Sequence, residues 1–273
     1  MKSALRPLLP GEHSAGIFPL LSAQHHLNSV QCPPCYKGGL MPMQFNKLIL
    51  WNFVAVAVLA SWYWLPGHGF WFQIDRAVFY FFNNKLGESQ AWVNMIAVAN
   101  NRAFDAVALL VMGLVYYSYY RKADAEQKRR LLIVGLLMLL TAVGLNQLGR
   151  TIPVERPSPT LTFDNIHRLT ELAGFKTKDA SGDSFPGDHG LMLMIFTGFV
   201  WRYLSWRAGL WGCLFVVIFS APRVMGGAHW WSDIYVGAFA VAVFGLAWLL
   251  QTGLMDAVIG WLNHRLPRFK RAG

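Results

Sequence analysis

The sequence predicts an all-α, polytopic integral membrane protein: a bundle of six transmembrane helices with additional interfacial helices. Three observations lead there. Of 273 residues, 55% are hydrophobic and only 14% charged, and mean hydropathy is positive, which leaves too little polar surface to cover a soluble core. Six stretches approach the roughly 20 apolar residues that a bilayer-spanning helix needs. The basic residues behind the net charge of +10 gather in short segments beside those stretches. That is a topology pattern, so nucleic acid is not an expected partner.

Residues 1–42 are rich in Pro, Gly, Ser and His without a sustained period, and lack the organisation of a signal peptide. They read as an extension that is disordered or lies upstream of the natural start. Lys37-Gly38-Gly39 would be encoded by a purine-rich stretch of the kind that binds ribosomes, which predicts translation from Met41 or Met43. Cys32-Pro-Pro-Cys35 has redox spacing but no strand and helix around it, and Cys213 reads as a small buried hydrophobe.

The main domain is expected over 43–253, with spans at Leu48–Leu65, Ala103–Tyr120, Leu131–Leu148, Gly190–Trp206, Ala208–Pro222 and Ile234–Leu250. Span five is short, which puts Pro222 at a membrane boundary. Between spans one and two, aromatic clusters (Phe70 to Phe72, Phe79 to Phe82, Trp92) alternate with Asp75, Arg76, Lys85 and Glu88. Helices in the headgroup plane, a partly re-entrant segment or an aromatic belt all fit that mixture.

Basic segments follow spans two (Arg121, Lys122, Lys128 to Arg130), four (Arg202, Arg207) and six (Arg265, Arg268, Lys270, Arg271). Even numbers of spans separate them, so all are expected to be cytoplasmic, with both termini; residues 254–273 read as a basic tail. The segments 66–102, 149–189 and 223–233 then share the opposite face. The loop Thr151–Asp188 is long for a compact domain and reads as a lid or acceptor-binding element, with a short helix at Asp164–Leu172.

That face holds the reactive residues. His229 and Asp233 are four apart, so in a helix the carboxylate would stack on the imidazole, fix its tautomer and leave the other nitrogen free to attack phosphorus. Arg156 and Arg223 offer planar bidentate donors for phosphoryl oxygens, and Arg150 a further one. A single Arg near a membrane boundary ordinarily snorkels to headgroups; beside two His motifs these read as functional. His189 follows a turn, Ser184-Phe185-Pro186-Gly187-Asp188, which opens a helix whose free N–H groups suit an anion, and it reads as the general acid. No metal constellation or cofactor motif is present in the spacing, and the arginines would take a metal's place.

These residues resemble the type 2 phosphatidic acid phosphatase family. Its motifs are Lys, six residues, Arg-Pro; then Pro-Ser-Gly-His; then Ser-Arg, five residues, His, three residues, Asp. The third appears as Pro222-Arg223-x5-His229-x3-Asp233, the second as Pro186-Gly187-Asp188-His189, and the first keeps Arg156-Pro157 with Gly149 at the Lys position. The resemblance implies a helical bundle with His229 as nucleophile, His189 as acid, Asp233 as its support, and Arg156, Arg223, Arg150, Gly187 and Asp188 around the phosphate.

Further strings, among them Asn100-Asn101-Arg102-Ala103-Phe104-Asp105, Leu145 to Gly149, Ser158 to Phe163 and Thr177 to Ser181, resemble the family's lipid A 1-diphosphate synthase branch. That branch implies undecaprenyl diphosphate as donor, lipid A as acceptor, membrane lipids as surroundings, and a site on the periplasmic face of a Gram-negative inner membrane. Arg102, Arg168, Lys176 and Lys178 are expected to seat the acceptor. A phosphatase with water as acceptor is the alternative within the same chemistry. A transporter would need paired repeats, and none is evident.

Overall fold

The computed structural model describes residues 43–266, and the expectations for 1–42, including Cys32 and Cys35, and for Arg268, Lys270 and Arg271 lie outside them. Helix α1 (Phe45–Tyr63) carries no Gly or Pro and ends where Pro66 supplies no N–H and Gly67 turns to a φ of 56°. Helices α2 (Gly69–Glu88) and α3 (Gln90–Ala99) follow, separated by Ser89, whose Oγ accepts from the Trp92 N–H at 3.3 Å. The aromatic segment thus forms two helices, α2 bearing a buried Asp75.

Helix α4 (Arg102–Lys122) starts on an Asn101 cap, and α5 (Ala125–Arg150) on a capping box between Asp124 and Gln127. The loop beyond carries two short helices, α6 (Pro159–Thr162) and α7 (Leu169–Ala173), the latter shifted toward the C-terminus from the expected helix at 164–172. Helix α8 (Asp188–Tyr203) and α9 (Trp206–Met225) form a hairpin capped by Ser205. A π-helical turn, Asp233–Ala238, runs straight into α10 (Phe239–Gln251), and Gly253 (φ 75°) turns the chain into α11 (Leu254–Arg265).

Five of these helices are long and apolar enough to cross a membrane: α1, α4, α5, α9, and the continuous helix Asp233–Gln251. Helix α8 stands where the fourth span was expected, but its 16 residues rise only about 24 Å, short of a hydrocarbon core of about 30 Å. It lies centrally, its Leu191, Ile195 and Phe199 packing with Ile133 of α5, Val241 of α10, and Met255 and Ile259 of α11. Glycines bring the backbones close: a Cβ on Gly212 would lie 2.6 Å from Thr197 Oγ1, and one on Gly198 2.6 Å from Leu246 Cδ1. Close backbone approach is how helices gain packing when lipid is as apolar as leucine.

Three expectations need correction. Helix α9 runs through Pro222 to Met225, since a proline in the last turn costs one hydrogen bond without ending the helix. Cys213 is exposed, on the same apolar flank of α9 as Leu210, Leu214 and Val217. Residues 254–265, read as tail, form α11, whose Met255 and Ile259, four apart, pack into the core. Helix α4 buries no residue and exposes Leu109, Leu110 and Leu114, as a lipid-facing helix would.

Candidate active site

His229 sits in the turn between α9 and the π-helical segment. The carbonyl of Arg223 accepts from the N–H of Ala228 (2.9 Å) and of His229 (3.2 Å), closing the end of α9. Gly227 has a φ of 79°, and a Cβ there would meet Thr160 Cγ2 at 2.5 Å, so only glycine makes this turn. Because His229 precedes the helix rather than lying in it, Asp233 does not stack on its ring. Asp233 Oδ2 is 3.7 Å from His229 Nδ1, whereas the Ser184 carbonyl oxygen is 2.9 Å away.

The Ser184 carbonyl, not Asp233, therefore accepts the hydrogen bond of the ring N–H and fixes the tautomer, a correction to the spacing argument. Ser184 is itself pinned by N–H and hydroxyl donation to the Arg156 carbonyl at 2.8 and 3.0 Å. Nε2 of His229 is buried and has no hydrogen-bond partner among the described residues. That nitrogen is the only polar ring atom of His229 left to react.

Arg156 is also placed differently from expectation. Its Nη1 donates to Ser232 Oγ (2.8 Å) and Asp233 Oδ1 (2.7 Å), and its Nη2 to Asp75 Oδ2 (2.8 Å). The guanidinium carbon lies 4.6 Å from the Trp230 ring centroid and 5.2 Å from that of Trp62. Asp233 Oδ2 meanwhile accepts from the Trp230 N–H at 2.7 Å, and Asp75 accepts from the N–H and hydroxyl of Ser232. Both terminal nitrogens are engaged by fully buried carboxylates, so Arg156 braces the turn that carries His229. Burial pushes the Asp75 carboxyl above its usual range, and the Arg156 charge and the Ser232 hydrogen bonds offset this only in part.

On the other side stand Arg223 and His189. Arg223 is buried; its Nη1 donates to the backbone and side-chain oxygens of Asn100 at 3.0 and 2.8 Å, and its Nη2 to Asp105 Oδ1. That same Nη2 lies 3.3 Å from His189 Nε2, which is 3.1 Å from Asp105 Oδ1. His189 Nδ1 meets Asp188 Oδ1 at 2.9 Å, and that oxygen is 3.9 Å from His229 Nε2. The two histidines and Arg223 are thus brought together, with a carboxylate between them.

The remaining expectations divide. Gly187 donates its N–H to the Asp233 carbonyl at 2.9 Å and so keeps no free donor for a phosphate. Asp188 is an anion and cannot hold another. Burial would raise its carboxyl, but the His189 hydrogen bond and the basic groups around it, Lys178 among them, hold it below the ordinary range. Arg150 is exposed at the end of α5, and Gly149 is buried, a Cβ there falling 2.9 Å from Pro186 Cγ, which closes the position to a lysine. Among the acceptor candidates, Arg168 is held by both oxygens of Asp179 at 3.3 Å, Lys178 is half-buried with its charge felt at Asp188, and Arg102 and Lys176 are exposed.

Asp75, Asn100, Asp105 and Ser184 escaped sequence reasoning. A lone carboxylate amid the aromatics of α2 was the available signal for Asp75, and the polar run opening α4 for Asn100 and Asp105.

The PAP2 superfamily matches residues 130–255. The lipid A 1-diphosphate synthase of Escherichia coli (strain K12) is 52% identical over 222 residues, covering 81% of this chain and 94% of that protein. The chain belongs to the PAP2 superfamily. No solved structure matches it. The superfamily match takes in Arg156, His189, Arg223, His229 and Asp233 and leaves out Asp75, Asn100 and Asp105, so three members of the polar frame lie N-terminal to the matched region.

Proposed function

We propose that this PAP2 protein transfers the distal phosphate of undecaprenyl diphosphate to the 1-phosphate of lipid A, forming lipid A 1-diphosphate and undecaprenyl phosphate. The observation that carries the chemistry is the His229 ring: Nδ1 held by the Ser184 carbonyl, Nε2 without a hydrogen-bond partner among the described residues and 3.9 Å from the Asp188 oxygen that also meets His189. Nε2 attacks the distal phosphorus, the bond to the bridging oxygen breaks, and His189 gives its proton to the departing undecaprenyl phosphate. An oxygen of the acceptor phosphate then attacks the phosphohistidine, and the N–P bond breaks. Arg223 counters charge on the non-bridging oxygens. Arg156, with Asp233 and Asp75, keeps the His229 turn in place.

The choice of donor and acceptor draws support from the similarity to the Escherichia coli enzyme. The basic segments at 121–130, 202–207 and 265 support a cytoplasmic end, which gives the site a periplasmic position in an inner membrane. Among the four acceptor candidates, Lys178, whose charge is felt at Asp188, is the one this reading favours.

Purified protein incubated with labelled undecaprenyl diphosphate tests this reading. Label should pass to lipid A when lipid A is present, and an acid-labile label should appear on the protein but not on its His229→Ala variant. Free phosphate released equally with and without lipid A would replace the reading by that of a phosphatase.

A further inference from the structure

Arg223 Nη2 and the nitrogens of His189, donors that would meet a phosphoryl group in this site, already meet carboxylates of the protein. Asp105 Oδ1 contacts Arg223 Nη2 and lies 3.1 Å from His189 Nε2. Asp188 Oδ1 accepts from the backbone N–H of His189 at 2.8 Å, lies 2.9 Å from His189 Nδ1, and is 3.9 Å from the nucleophilic His229 Nε2. Carboxylate and phosphate oxygens seek the same hydrogen-bond geometry, so these two side chains stand where the oxygens of a bound phosphate would.

The four carboxylates of the site fall into two kinds. The side chains of Asp75 and Asp233 are fully buried and committed to Arg156, whereas those of Asp105 and Asp188 are 40% and 35% exposed. A carboxylate with that much access to water can swing out and be solvated, while a buried one has nowhere to go. Position 188 is also where the chain departs from the glycine of the Pro-Ser-Gly-His motif.

We infer that Asp105 and Asp188 are displaceable counter-anions, which hold Arg223 and His189 between substrates and determine which phosphates can take their place. The inference rests on the reading of His229 as the phosphoryl acceptor. A phosphate arriving alone must expel both carboxylates with only its own charge. One carried on a long hydrocarbon chain brings binding energy from the membrane to the exchange. The pair therefore excludes inorganic phosphate and other small soluble phosphates while admitting lipid-borne ones, and it re-forms as the product leaves.

The test is the affinity of the purified, detergent-solubilised protein for inorganic phosphate, measured by calorimetric titration and as an inhibition constant in the transfer assay. Asp105→Asn and Asp188→Asn keep the acceptor oxygen that His189 and Arg223 use and remove only the charge. Each should bind phosphate about tenfold more tightly, the scale of removing one partly solvated like charge at contact range. Asp105→Glu should restore weak binding, and Asp188→Gly should behave as Asp188→Asn, which separates charge from shape.

Calorimetry reads binding without turnover, so a loss of activity in any variant leaves the test intact. Phosphate affinity unchanged or weakened in both Asn variants, with melting temperatures like the parent's, overturns the inference. His229→Ala that still transfers phosphate would defeat the functional reading instead, even if the Asn variants bound phosphate tightly.

Discussion

Asp75→Ala should unfasten the site from beneath. The carboxylate accepts from Arg156 Nη2 and Ser232 N–H, both at 2.8 Å, and from the Ser232 hydroxyl, with its own side chain wholly buried. Alanine leaves a buried guanidinium nitrogen and a backbone N–H without acceptors. Removing one partner of a buried pair costs about 3–5 kcal/mol. Asparagine keeps one oxygen for Ser232 and carries no charge; since burial has already raised the Asp75 carboxyl, at neutral pH the amide escapes a desolvation penalty that the carboxylate bears. Its cost should be smaller, about 1–3 kcal/mol.

Melting curves in detergent would rank the variants as parent, then Asn, then Ala. Assays of donor turnover would find kcat lowered with little change in donor KM, because the loss acts through the turn that carries His229 and not through the phosphate contacts. An alanine variant that melts with the parent, or an asparagine variant less stable than alanine, would refute this account of Arg156 as a brace.

Gly227→Ala should cost about 1–3 kcal/mol for the positive φ, plus displacement of Thr160, and reduce kcat as the His229 turn shifts; a parental melting temperature and rate would count against it. The carboxyl of Asp188 is held below its unfolded value, so its contribution to stability is full above about pH 3.9 and is lost as pH falls below that. Melting temperature against pH should accordingly be flatter below pH 4 in Asp188→Asn than in the parent. Arg168→Ala should cost no more than about 1 kcal/mol, as a partly exposed pair does, whereas Asp179→Ala should cost more, because the buried Asp179 also accepts from the Thr170 N–H. Arg150→Ala should leave transfer within about twofold of the parent, the range of an exposed residue away from the chemistry; a hundredfold loss would return Arg150 to the phosphate.

The apolar runs made most of the helices legible, because a bilayer demands length and continuity from each span and composition displays both. What composition could not display was the shortness of α8, which packing against α5, α9 and α10 compensates, or α11, whose buried face is only Met255 and Ile259. In the site, His189 and Arg223 meet at 3.3 Å and His229 lies 3.9 Å from the carboxylate of Asp188, a grouping that the shared membrane face of their motifs led one to expect. The spacing of His229 and Asp233 misled as to their contact because it assumed a helix already formed at His229, and the helix starts only after that residue. The true partner of the ring, the carbonyl of Ser184, lies 45 positions away, and the pairing of Asp75 with Ser232 spans 157. Contacts of that range are set by tertiary packing and leave no periodicity in the chain.

Asn100 joins three parts of the fold at a single residue: its two oxygens grip Arg223, its carbonyl also receives the N–H of Lys178, and its amide nitrogen donates to the Lys178 carbonyl at 2.9 Å. Gly226 has no side chain to crowd that amide. The loop around Lys178 and the Arg223 guanidinium are therefore geared together through one residue, and a displacement of either would reposition the other. Such a coupling needs no helix to move, because it runs through Asn100 alone.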